Sequence, residues 1–148
     1  LYRDNRLVQP GSIAIDGTPL DLTTVRTPSY IQAGREDHIA PAESVWRITH
    51  HFGGPLRFVL AGSGHIAGVV NPPAAGKYQY WLNDSPGVAT LADFLAGARE
   101  VKGSWWPDWI QWLRGINAAE VEASGPRVPG EGALAALGPA PGEYVLKR

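Results

Sequence analysis

A chain of 148 residues that is 44% hydrophobic and carries six tryptophans is long enough to bury the core of one domain. Its 13 Lys and Arg balance 14 Asp and Glu and are scattered, which argues against a nucleic-acid footprint, and no apolar run reaches bilayer length. The absence of cysteine excludes a disulfide framework and fits a cytoplasmic protein. The chain opens on Leu1, contains no methionine and shows no signal-peptide pattern, so it reads as a piece of a longer polypeptide.

The first predicted element is a hairpin. "SIAIDGTPLDL" (residues 12–22) alternates apolar and polar positions and turns at Asp16-Gly17, a strong two-residue hairpin signal. A short strand follows, about Ser29 to Ala33, and runs into the loop Gly34-Arg35-Glu36-Asp37. "PAESVWRITHHF" opens with Pro41 and places Val45, Ile48 and Phe52 at helical spacing, which predicts a helix covering a sheet. His50 and His51 at its end suit the negative pole of the helix dipole. Gly53 and Gly54 break the helix, and a second strand is expected from Arg57 to Leu60. Strand, helix and strand in this order predict a right-handed parallel crossover.

After Pro72 and Pro73 the pattern changes. "YQYWLND" is short and aromatic, and "TLADFLAGA" predicts a brief helix starting from Thr90. In "SWWPDWIQWLRG" a helix begins at Ser104 or Trp106, with Pro107 tolerated in its first turn. Trp105, Trp109 and Trp112 are expected on one face, with Asp108 and Gln111 away from it, as a packing surface rather than a ligand platform. From Gly125 the chain is rich in Pro, Gly and Ala, which predicts a surface tail.

The chemistry-bearing residues are Asp37, just past the first strand, and His65, in "AGSGHIAG" just past the second. In an open parallel sheet both loops leave the carboxyl edge, where such folds place their sites. There an aspartate can hold the imidazole Nδ1–H and leave the other ring nitrogen free to take a proton from a nucleophile. The order nucleophile, acid, histidine is that of the α/β-hydrolase arrangement, whose nucleophile sits on an earlier strand-to-helix turn. No G-x-S-x-G or G-x-C-x-G occurs here, so no nucleophile is expected within this chain. Three other readings stand beside this one. Asp37 could cap the helix near Pro41 while His65 bonds backbone. Gly62, Gly64 and Ala67 meet the loose dinucleotide-binding pattern, although Pro72 and Pro73 leave little room for its helix. Asp37, His38 and His65 could form a metal site but lack a ligand spacing such as H-x-x-x-H.

Taken together, "AGREDHIAP", "FGGPLRFVLAGSGHIAGVVNPP", "YWLND" and "GSWWPDWIQWL" resemble the C-terminal third of class I polyhydroxyalkanoate synthases, from "NRLVQPG" to "PGEYV". The resemblance implies an α/β fold, the C-terminal part of an α/β-hydrolase fold with its last parallel strands and covering helices. It implies an acyltransferase that polymerises (R)-3-hydroxyacyl-CoA into polyester and releases coenzyme A through a Cys-Asp-His triad. Asp37 and His65 match the family's acid and histidine, and His38 matches a motif residue near its active site. The cysteine, its oxyanion-hole neighbour and the mobile cap that supports dimerisation would lie upstream. No cofactor or metal is implied. The expected setting is the cytoplasm at the surface of polymer granules, as part of a homodimer.

On this reading residues 1–124 belong to the catalytic domain and 125–148 form the tail, and the segment alone is inactive. Two alternatives remain, a thioesterase or esterase fragment of the same fold and a non-catalytic remnant that packs or binds granules.

Overall fold

The computed structural model describes residues 3–85, 88–121 and 128–147. The chain divides into two units, Leu1–Trp112 and Leu113–Arg148.

The first unit begins with the expected hairpin, β1 (Ala14–Ile15) and β2 (Thr18–Pro19), paired antiparallel. Asp16 and Gly17 both adopt positive φ (48° and 74°), as a tight primed turn requires. Next comes the main sheet, with β3 (Ser29–Gly34), β4 (Leu56–Ala61), β5 (Gln79–Leu82) and β6 (Arg99–Lys102) in that spatial order. β3 and β4 are parallel and in register from Ser29 opposite Leu56 to Gly34 opposite Ala61. The helical connection between them is α1 (Ala42–Trp46), extended by a tighter turn over Arg47–His50. It is shorter than the pattern to Phe52 predicts, because the chain tightens from Arg47 and then meets Gly53 and Gly54. His50 lies in that final turn with its ring edge-on to Trp46, at 6.3 Å between centroids.

The expectation of a run of parallel strands needs correction. β5 pairs antiparallel with β4, and β6 antiparallel with β5, so the architecture is mixed α/β. A parallel return would need a crossover helix. Residues 62–78 hold turns and a single short 3-10 turn, Pro73–Ala75, so the chain comes straight back. β6 was not foreseen: in "REVK" Val101 is the sole apolar residue, as suits a charged outer strand.

Alternate side chains feed two cores. On one face Ala33, Phe58, Leu60 and Trp81 meet Trp46 of α1 and Phe94 of α2 (Leu91–Ala96). Trp46, Phe58 and Phe94 pack edge-to-face or tilted at 4.8–5.3 Å. Thr90 caps α2 as expected, its hydroxyl accepting from Asp93 N–H. On the other face Val59, Ala61, Tyr80 and Leu82 meet Trp105 at the start of α3 (Trp106–Ile116). Layers of helix, sheet and helix result.

The tryptophan face also differs from expectation. Trp105 is buried and Trp112 is half-buried, and both meet Tyr30 of β3 at 5.9 and 5.4 Å, whereas Trp109 is 38% exposed. Asp108 does not point away. Spaced three residues from Trp105 and four from Trp112, it shares their face and reaches the sheet. Gln111 is exposed.

In the second unit Arg114 pairs with Glu120 at 2.8 Å and the Asn117 side chain accepts from Ala119 N–H. Residues 128–147 are exposed and include a 3-10 turn at Tyr144–Leu146. The expected boundary at 124–125 lies outside the described residues.

Candidate acid–histidine site

Two loops leave the same edge of the sheet because β3 and β4 run parallel. The first, residues 35–40, carries Asp37, and the second, residues 62–70, carries His65. Backbone bonds lace them together at their roots. Arg35 N–H donates to Ala61 C=O at 2.8 Å, and Glu36 N–H donates to Ser63 C=O at 3.1 Å. Gly34 makes this approach possible. A Cβ there would sit 2.8 Å from the Ser63 carbonyl oxygen and 3.1 Å from Asp37 Cβ. Nearby, the Arg35 guanidinium lies over the Trp81 ring at 4.6 Å, which ties the first loop to the core.

His65 sits on a compact helical turn. Gly68 N–H donates to Gly64 C=O and Val70 N–H to Ile66 C=O, both at 2.8 Å. Gly68 is needed for that closure, since a Cβ on it would lie 2.7 Å from the Gly64 carbonyl oxygen. Two indoles hold the end of the turn. Trp105 Nε1–H donates to Gly68 C=O at 2.8 Å and Trp106 Nε1–H to Val69 C=O at 3.0 Å. Beyond it the buried Asn71 side chain donates to Lys77 C=O.

These constraints bring the expected pair together. Asp37 Oδ2 lies 2.8 Å from His65 Nδ1. The other carboxylate oxygen, Oδ1, accepts from the backbone N–H groups of Ile39 and Ala40, each at 2.9 Å. Asp37 thus also caps the turn leading into α1, and the two sequence readings of this residue meet in one carboxylate. The Ala40 N–H contributes most to holding the Asp37 carboxyl below the usual Asp range; burial opposes it, and His65 and Ile39 add to it. A charged carboxylate only accepts, so Nδ1 carries the proton and the neutral ring keeps its lone pair on Nε2. The Asp37 side chain is 7% exposed and that of His65 is 47% exposed. The acid is sheltered and the histidine presented.

His38 is exposed and, among the described residues, makes no side-chain hydrogen bond. Successive residues leaving a strand diverge, so adjacency to Asp37 does not bring it to the carboxylate. Ser63 is buried in the root of the second loop. Among the described residues no group of three His, Asp or Glu side chains is placed to hold a metal ion. The chain after Gly62-Ser-Gly64 makes one turn and reaches Pro72 without the long helix that a dinucleotide fingerprint must open.

The sequence reading missed the indole anchors. They had a signal: two tryptophans at the very start of a helix, each needing a partner for its N–H when drawn toward the interior. What it could not supply was the partner, 37 residues away in the chain.

Comparison with known proteins agrees with the motifs. Over 144 residues the chain is 45% identical to the poly(3-hydroxyalkanoate) polymerase subunit PhaC of Cupriavidus necator, covering 97% of this chain and 24% of that protein. It is 46% identical over 147 residues to PhaC of Rhizobium etli, covering 99% of this chain and 22% of the relative. Over nearly its whole length the chain is thus similar to one part of the poly(3-hydroxyalkanoate) polymerases. With poly(3-hydroxyalkanoate) polymerase 2 of Ectopseudomonas oleovorans it shares 40% identity over 148 residues, 99% of this chain and 26% of that polymerase. The chain spans about a quarter of the length of the curated relatives it matches. No family model matches it. Among the described residues no helix is long and apolar enough to cross a membrane.

Proposed function

We propose that this chain is the acid–histidine segment of a poly(3-hydroxyalkanoate) polymerase with an α/β-hydrolase fold, and that His65 is its general base, oriented by Asp37. The observation that carries the reading is the 2.8 Å contact between Asp37 Oδ2 and His65 Nδ1, with the remaining carboxylate oxygen fixed by two backbone N–H groups. In this arrangement Nε2 takes the proton of a cysteine thiol carried by a part of the polymerase outside this chain. The thiolate attacks the thioester carbonyl of an (R)-3-hydroxyacyl-CoA, and the departing coenzyme A sulfur receives the proton back from His65. The hydroxyl of a growing polyester then attacks the acyl-enzyme. His65 accepts that proton and returns it to the released cysteine.

Asp37 stabilises the imidazolium formed at each transfer. Among the described residues β3 pairs on one side only, and its free edge is where the rest of the sheet would join. The polymer chain and the granule surface are the partners this reading implies, with the complete enzyme as a dimer in the cytoplasm.

The test is coenzyme A release by the complete polymerase chain that contains these residues. His65→Ala should remove nearly all turnover. Wild-type turnover in that variant would overturn the reading.

A further inference from the structure

The two indoles at the start of α3 do something the packing of the helix does not require. Trp105 is 8% exposed and stacks on Tyr30, so its N–H needs a protein partner. Trp106 is only partly buried, and water could satisfy its N–H equally well. Both instead donate to consecutive carbonyls, Gly68 and Val69, at the end of the single turn that carries His65. We infer that Trp105 and Trp106 are positioning residues, which set the direction of His65 Nε2 by fixing the turn beneath it.

The turn is held at two places. Its root is laced to the Asp37 loop through Glu36 N–H and Ser63 C=O. Its far end is held by the indoles. Between them, among the described residues, lie the turn's own backbone bonds, which preserve its shape, and the single side-chain contact of His65 with Asp37. The tilt of the turn matters because the carboxylate constrains Nδ1 while a ring pivoting on that contact can still swing Nε2. A displacement of about 1 Å at a reacting atom costs on the order of 100-fold in rate.

The indoles are themselves rigidly placed. Ser104 Oγ accepts from Trp106 N–H at 3.1 Å and starts the helix. Two residues further on, Asp108 accepts from Tyr30 of β3 and from Arg57 of β4. The first turn of α3 is therefore tied to the same two strands whose ends carry Asp37 and His65. The acid and the histidine are referenced to one frame from both sides of the sheet edge.

This inference rests on the proton-transfer reading of His65, and the experiment separates the two. In the complete polymerase chain, Trp106→Phe keeps the ring and removes the donor. It should lower kcat about tenfold with KM within about twofold, a loss confined to the transition state, and leave the melting temperature unchanged. Trp105→Phe should lower kcat likewise, with some loss of melting temperature. Trp109→Phe is the control: it lies on the same helix and, among the described residues, its indole donates to nothing. It should behave as wild type in kcat and KM.

Wild-type kcat in both Trp105→Phe and Trp106→Phe would overturn the inference. So would a fall in kcat that Trp109→Phe reproduces. If His65→Ala is inactive while both donor deletions turn over normally, the positioning role fails and the base survives. If His65→Ala is active, both fall.

Discussion

Arg57 on β4 and Asp108 on the first turn of α3 form a two-pronged ion pair, with Nη2 to Oδ1 at 2.6 Å and Nε to Oδ2 at 2.9 Å. Tyr30 of β3 donates its hydroxyl to the same Oδ2 at 2.8 Å, so one carboxylate ties two strands to a helix. The Asp108 side chain is 10% exposed and that of Arg57 27%, which places the pair at the dry end of surface ion pairs. Removing Asp108 takes the acceptor from the half-buried Tyr30 hydroxyl and leaves Arg57 its contact with the exposed Asp84 at 3.1 Å. Asp108→Ala should therefore destabilise the protein by about 3 kcal/mol, toward the cost of breaking a buried pair. Chemical denaturation measures this, and a change under about 0.5 kcal/mol would mean the pair behaves as an ordinary surface contact.

The same carboxylate predicts an acid limb. Burial alone would raise the Asp108 carboxyl, but hydrogen bonds from Arg57 and Tyr30 outweigh it and hold it below the usual Asp value. Asp37 is shifted the same way, chiefly by the Ala40 N–H. A carboxyl depressed on folding contributes stability that is complete above its unfolded value, about 3.9, and is lost as pH falls through the folded one. Stability should hold down to about pH 4–5 and decline below. Asp108→Asn should flatten that decline in urea melts taken across the acid range. An unchanged slope would show that other groups carry it.

How much of this was legible follows from which interactions are local. The Asp16-Gly17 hairpin, the Thr90 cap and the crossover from β3 to β4 depend on neighbours in the chain, and their residues announce them. The antiparallel return to β5 was not legible, because the deciding fact is the lack of a helix between Gly62 and Tyr78. β6 was invisible for a different reason: an outer strand facing water on most of its residues has no alternation to read. The Asp37–His65 pair could be reached from motif and strand order, since parallel neighbours must end at the same edge. The Arg57–Asp108–Tyr30 cluster could not, for it joins residues 51 and 78 positions apart through packing alone.

Gly34 and Gly64 flank the site and should respond differently to a methyl group. At Gly34 the new Cβ would stand 2.8 Å from backbone oxygen at the root of the His65 loop. At Gly64 the nearest atom is 3.7 Å away, an ordinary contact. Gly34→Ala should cost about 1–3 kcal/mol by forced backbone movement and reduce turnover of the complete polymerase. Gly64→Ala should change stability by no more than about 0.5 kcal/mol. Equal effects at the two positions would show that the close approach of the loops is not what either glycine serves.

The last prediction concerns what Asp37 does for His65, and it separates orientation from charge. In Asp37→Asn the side-chain amide can still bridge to Nδ1 and to the Ile39 and Ala40 N–H groups, but not with the same polarity. An Asn oxygen turned toward the two backbone donors puts its NH₂ against Nδ1, so the neutral ring must carry its proton on Nε2. The nitrogen meant to accept a proton then has none of its lone pair free. Turnover of the complete polymerase should fall by about 10³–10⁴-fold, with little change in fold. His38→Gln, beside it in sequence but off the carboxylate, should retain most activity. Raising pH cannot restore the Asn variant if the tautomer is the cause, because no ionisation corrects it. Near wild-type turnover of the Asn variant at neutral pH would show instead that the ring tautomer is not what Asp37 sets. Loss of activity in His38→Gln as deep as in Asp37→Asn would move the working histidine away from residue 65.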